Sequence, residues 1–218
     1  PIFLIEASDL YFETIIYKIS STSRALKDTA FLNSLIDRIL YENMTGEEES
    51  AHAKKLNPSF ENLFFSLYFD CGSDFTPKDA LEFIENYQRS ELNQAENFIT
   101  YYKNGILFVH SNLRLREEQT KDLAERISST VFPDGSFNCA GVSDLHLTLT
   151  EFKACIRESM HASAFSRDEN KKCVFYRELG LMKLILPLSQ NIELKSYSDR
   201  LLKGVIDYDV ENNSSLYF

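Results

Sequence analysis

The sequence predicts an α/β (α+β) domain: a sheet with packed helices, preceded by a helical lead-in and followed by a helical exit. Three observations carry this reading. "ENLFFSLYFDC" (Glu61–Cys71) is nearly continuous in apolar and aromatic residues, the mark of a strand buried on both faces. "NFITYYKNGILFVHS" sets Asn104-Gly105 between two strand-like runs. That dipeptide is a strong hairpin signal, because a type I′ turn needs positive φ at both central residues. Amphipathic helical stretches separate these strands from further short apolar runs downstream.

The elements follow in order. "PIFLIEASDLYFETIIYKIS" holds two β-rich runs around "EASD" and is too short for a domain, so residues 1–21 read as the tail of a preceding sensory domain or as an arm. Residues 22–57 form the helical lead-in. Leu26, Phe31, Leu35, Ile39 and Leu40 mark one stripe, and a second helix with Ser50, Ala53 and Leu56 follows "TGEEES". The acidic residues at its start favour the helix dipole. In residues 58–178, the strand ending at Cys71 leads to "DFTPKDALEFIENYQRS", a helix with Thr76 as N-cap, Pro77 at its first position and Asp79 in its first turn. After the hairpin come the helix "LREEQTKDLAERISSTV", the strand "FNCAGVS", the helix "TLTEFKACIRESMHASAFSR" and the strand "KKCVFYREL". Residues 179–218 read as two helices. The first six core elements, β-α-β-β-α-β, make the split-βαβ or ferredoxin-like arrangement, with helices on one face of a sheet that the last α-β pair extends.

Bulk properties exclude several classes. Hydrophobic residues make up 44% and charged residues 26% of 218, too apolar for a disordered chain. No apolar stretch approaches the roughly 20 residues of a membrane span. The first residues carry neither a signal-peptide pattern nor an initiating Met, so the chain reads as cut from something longer. Cys71, Cys139, Cys155 and Cys173 form no C-x-x-C pair and sit among apolar neighbours, as buried reduced thiols do; the expected compartment is the cytoplasm. A net charge of −10 disfavours nucleic-acid binding by this chain itself. Its densest basic cluster, Arg114, Arg116, Lys121 and Arg126, is interleaved with Glu117, Glu118, Asp122 and Glu125, as on a solvated helix face.

From about Phe31 the sequence resembles the purine-catabolism and sugar-diacid regulator family of bacterial transcription factors. "FLNSLIDRIL...ESAHAKKLNP" is similar to their helical lead-in, and "FNCAGVSD" with Gly141 to their Ala-Gly-Val/Ile-Ser strand. "VFYRELGLMKLILPL", with Leu179 and Gly180, is similar to their strand ending in "y-x-x-L-G" and the leucine-rich stretch after it. "LLKGVIDYDVENNSSLYF", with Tyr208 and Asp209, is similar to their final segment. The resemblance implies a degenerate, GGDEF-like regulatory domain related to diguanylate cyclases. It would couple an N-terminal sensor to a C-terminal helix-turn-helix that begins near Phe218. It also implies a homodimer, no enzymatic activity, no cofactor, and DNA contact only through that further segment. Gly180 would then supply a tight turn from strand to helix, and the run from Leu181 to Leu186 would pack on the sheet.

Candidate chemistry is sparse. In a cyclase-type fold the end of the first strand and a Gly-Gly-acidic-acidic hairpin gather carboxylates around two Mg²⁺ ions. Here Asp70 stands at the strand end with Asp74 nearby, but the hairpin reads "YYKNGIL", with Lys103 and Asn104 where acids are needed. Asp70 is the one weak metal candidate, and an enzyme-like domain that binds nucleotide or metal is the alternative reading. A third reading, a small-molecule effector bound in this domain, has no polar constellation behind it. His52, His110, His146 and His161 form no ligand pair at helical spacing and read as surface or capping residues. There is no G-x-S-x-G elbow and no glycine-rich phosphate loop. The aromatic cluster of Phe64, Phe65, Tyr68, Phe69, Tyr101 and Tyr102 reads mainly as core. Leu26, Leu35, Ile39, Tyr101 and Tyr102 are the interface candidates.

Overall fold

The computed structural model describes residues 28–189, with side chains through Ile185. The sequence expectations for residues 1–27 and 190–218, including Leu26, Tyr208 and Asp209, lie outside the described residues. The chain divides into two compact units, Pro1–Arg177 and Glu178–Phe218. In the first, helices α1 (residues 28–41) and α2 (Gly46–Leu56) lead to β1 (Phe64–Asp70), α3 (Pro77–Gln88), β2 (Phe98–Tyr102) and β3 (Gly105–Ser111). Then come α4 (Thr120–Val131), β4 (Cys139–Val142), α5 (Phe152–Asp168) and β5 (Cys173–Phe175). In the second unit the described part holds α6 (Met182–Ser189).

The five strands form one mixed sheet in the order β2-β3-β1-β4-β5. All neighbours are antiparallel except β4 and β5. The first four strands thus have the ferredoxin-like order that the β-α-β-β-α-β sequence predicts, and the α5–β5 pair adds a parallel edge. Among the described residues no helix is long and apolar enough to cross a membrane.

The expectation of helices on one face is corrected: both faces are covered. On one face Phe64, Tyr68, Leu107, Val109, Phe98 and Tyr102 meet Leu35, Ile36, Ile39 and Leu40 of α1, Ala53 and Leu56 of α2, and Phe152, Cys155 and Ile156 of α5. On the other, Phe65, Leu67, Phe69, Ile106 and Phe108 meet Ala80 and Tyr87 of α3 and Ala124, Ile127 and Val131 of α4. Strand alternation sends successive side chains into these two cores, so every residue of β1 and β3 is buried. The lead-in is therefore part of the domain, because α1 and α2 share with α5 the covering of that apolar face. Phe31, placed on the buried stripe by sequence, is instead 64% exposed, and Ile36 takes its place.

Local signals act as their chemistry dictates. Thr76 and Asp79 close a capping box on α3 with Pro77 at its start, and Thr45 and Glu48 do the same for α2. The N-terminus of α5 has no cap from its own flank; the buried Glu49 carboxylate of α2 accepts the Lys153 amide instead, tying lead-in to domain. The hairpin forms, but with a different turn. Its two loop residues are Lys103 and Asn104, with positive φ at Lys103 only, and Gly105 already belongs to β3. A Cβ on Gly105 would run into the Phe69 carbonyl, so this glycine serves close strand approach rather than the turn.

Candidate functional site

Asp70 ends β1 almost fully buried, opposite Gly105 of β3 and Cys139 of β4. Its two carboxylate oxygens are both engaged. Oδ2 accepts from the Arg167 guanidinium of α5 at 2.9 Å, and Oδ1 accepts from the Gly72 amide at 2.9 Å. Asp74 takes the Ser73 hydroxyl. At the hairpin the Lys103 ammonium reaches the Tyr41 hydroxyl at 2.8 Å and lies over the Tyr41 and Tyr102 rings. One carboxylate held by a guanidinium, with a lysine on the nearby hairpin, is the wrong donor set for two divalent cations. Among the described residues no three His, Cys, Asp or Glu side chains are grouped as a metal ion requires.

The interface candidates are corrected by burial. Leu35, Ile39 and Tyr102 lie in the core, 6%, 0% and 1% exposed. The Tyr102 hydroxyl donates to Asp37 at 2.7 Å, and burial together with that acid raises its pKa. Tyr101 is half-buried against Phe75. Tyr102 looks unclaimed in sequence because α1, which covers it with Leu35 and Ile39, is remote in the chain. Exposed apolar surface on α1 comes instead from Phe31 and Tyr41.

Gly141 and Gly180 act through different physics. A Cβ on Gly141 would strike the backbone of Ser159 and Ser163 and come within 2.7 Å of the Ala162 carbonyl carbon, so α5 rests directly on β4 there. Gly180 has φ +54° and open space around it, so its backbone conformation sets the turn after the buried Leu179. Leu181, Leu184 and Ile185 are exposed, unlike the buried run expected for this stretch.

Cys139 and Cys155 are buried and Cys71 half-buried, as expected, whereas Cys173 is exposed. Burial pushes the Cys71 and Cys155 thiols up to about 12, which removes them as nucleophiles at neutral pH.

Two histidines expected at the surface are buried. His146 stacks on Phe64, and its ring nitrogens face Glu158 at 3.0 Å and Glu151 at 3.4 Å. Burial disfavours its charged form, but the two carboxylates outweigh burial and its pKa is raised. The stabilisation that this proton brings is complete below the unfolded value near 6.5 and is lost as pH rises through the higher folded value. His146→Gln is therefore expected to lower stability more at about pH 6 than at about pH 9, as read from urea melts at the two pH values.

His110 lies at the end of β3, 6% exposed. Its Nδ1–H donates to the Asn97 side-chain oxygen at 2.7 Å. Asn97 is oriented in turn by donating to the Leu92 carbonyl at 2.8 Å and to the Tyr87 hydroxyl at 2.6 Å. This fixes the tautomer and leaves Nε2 as the free ring nitrogen. Burial lowers the ring's pKa to about 4, so it is neutral at pH 7. His110 lines an open groove of about 540 Å³ between the 91–97 loop, the 112–115 loop and α4. Arg114, Arg126, Glu91 and Asp122 line it as well. The sequence does not reveal this site, because its residues come from separate segments, each bland alone; the interleaved basic cluster is its one trace.

The chain matches no protein-family model, no curated protein and no solved structure.

Proposed function

We propose that this chain is a non-catalytic regulatory and dimerisation domain of a cytoplasmic bacterial transcriptional regulator. It would couple a preceding sensor to a helix-turn-helix segment through which alone DNA is contacted. The observation that carries the reading is Asp70 held by Arg167 and the Gly72 amide, at the position where a cyclase-type fold needs a free metal ligand. The Lys103-Asn104 turn and the strand order β2-β3-β1-β4-β5 support it alongside the sequence resemblance. Phe31 and Tyr41, exposed on α1, offer apolar surface for a second copy.

The test is light scattering over a concentration series, paired with Mg²⁺ and GTP titrations. The expected result is a dimer that persists on dilution, is weakened by Phe31→Glu, and shows no nucleotide affinity that Asp70→Asn alters. A strict monomer would remove the assembly role. Mg²⁺-dependent GTP binding lost in Asp70→Asn would favour an enzyme-like domain instead.

A further inference from the structure

The groove beside His110 is lined by charges of both signs. Arg114 and Arg126 line it together with Glu91 and Asp122, and all four are exposed. None of the four makes an ion pair among the described residues, although Asp122 and Arg126 stand one helical turn apart on α4. Leu115, Leu123 and Ile127 supply an apolar wall. His110, oriented by Asn97, adds an acceptor nitrogen that stays uncharged at neutral pH.

A pure anion entering this groove would meet two carboxylates, and a pure cation would meet two guanidiniums. A zwitterion satisfies both pairs. We propose that the groove binds a small zwitterion of the α-amino-acid class with an apolar side chain. Arg114 and Arg126 hold its carboxylate, Glu91 and Asp122 its ammonium, and Leu115, Leu123 and Ile127 meet its side chain. The arginine forks suit a carboxylate, and a groove of about 540 Å³ lies within the range of small-ligand sites. The proposal rests on these side chains alone and stands whether or not the chain dimerises or regulates transcription.

Calorimetric titration of the full chain with L-leucine and L-phenylalanine tests it, with 3-phenylpropionate and phenethylamine as analogues lacking one charge. The expected result is saturable binding of at least one amino acid, with the matching single-charge analogues about tenfold weaker or more. Arg126→Gln and Asp122→Asn should each lower affinity by about tenfold while the melting temperature stays unchanged, since both residues are exposed. No saturable binding up to about 10 mM overturns the proposal, since affinity would then fall below any specific contact. Analogues that bind as well as the amino acids, or variants that bind like the parent, overturn it too.

Discussion

Gly141→Ala is expected to destabilise the domain by about 3 kcal/mol, seen as a lower urea midpoint with an unchanged slope. Two effects compete at this site. Alanine restricts the unfolded chain, which by itself would stabilise by about 0.4–1 kcal/mol where the backbone can accept it. Against this, the new Cβ would fall on the backbone of Ser159 and Ser163 in α5, and backbone cannot rotate away as a side chain can. Relief would require lifting α5 off β4, opening the contacts that Cys155, Ser159, Ala162 and Ser163 bury there. Overpacking therefore wins. An unchanged or raised midpoint for Gly141→Ala would mean that α5 can shift at little cost and that the close contact is dispensable.

The second large effect is acid sensitivity arising from His110. Its folded pKa, about 4, lies below the ordinary value of 6.5, so the unfolded chain takes up the proton first as pH falls. Stability therefore rises with pH across this window and is lost on acidification. A shift of this size corresponds to about 3 kcal/mol between pH 6.5 and pH 4. Carboxylates titrate in the same range, so the informative quantity is the difference between the parent and His110→Gln in urea melts from about pH 7 to about pH 4. The parent should lose its advantage over the variant steadily on acidification. A difference independent of pH would show that the buried ring does not hold its neutral form. His146 has the opposite sign, because Glu158 and Glu151 favour its charged form, so it does not mask this slope by acting in the same direction.

Much of the architecture was legible from local chemistry. Thr76, Pro77 and Asp79 specify the start of α3 without help from the rest of the chain, because a capping box and a proline at the first helical position act over four residues. The nearly continuous apolar run of β1 announced burial on both faces, and the alternation of helices and strands announced the sheet class. The Asn104-Gly105 dipeptide located the hairpin yet misled about its turn, since register placed the glycine against the Phe69 carbonyl of β1.

What the sequence by itself determined was therefore the set of elements, their order and the caps of α2 and α3, all governed by interactions within a few residues. The α5 N-terminus, by contrast, is met by the distant Glu49. Only the tertiary structure decided which apolar residues are interior. Leu35, Ile39 and Tyr102 look like a free surface until α1 closes on the sheet, and Phe31 looks buried until the helix phase turns it outward. Tertiary structure also decided that Asp70 meets Arg167, ninety-seven residues away, and that His110, Asn97 and Arg126 face one groove. The physical reason is the range of the forces. Backbone propensity and capping act locally and leave a readable trace, whereas burial and pairing depend on neighbours that the chain brings together only by folding.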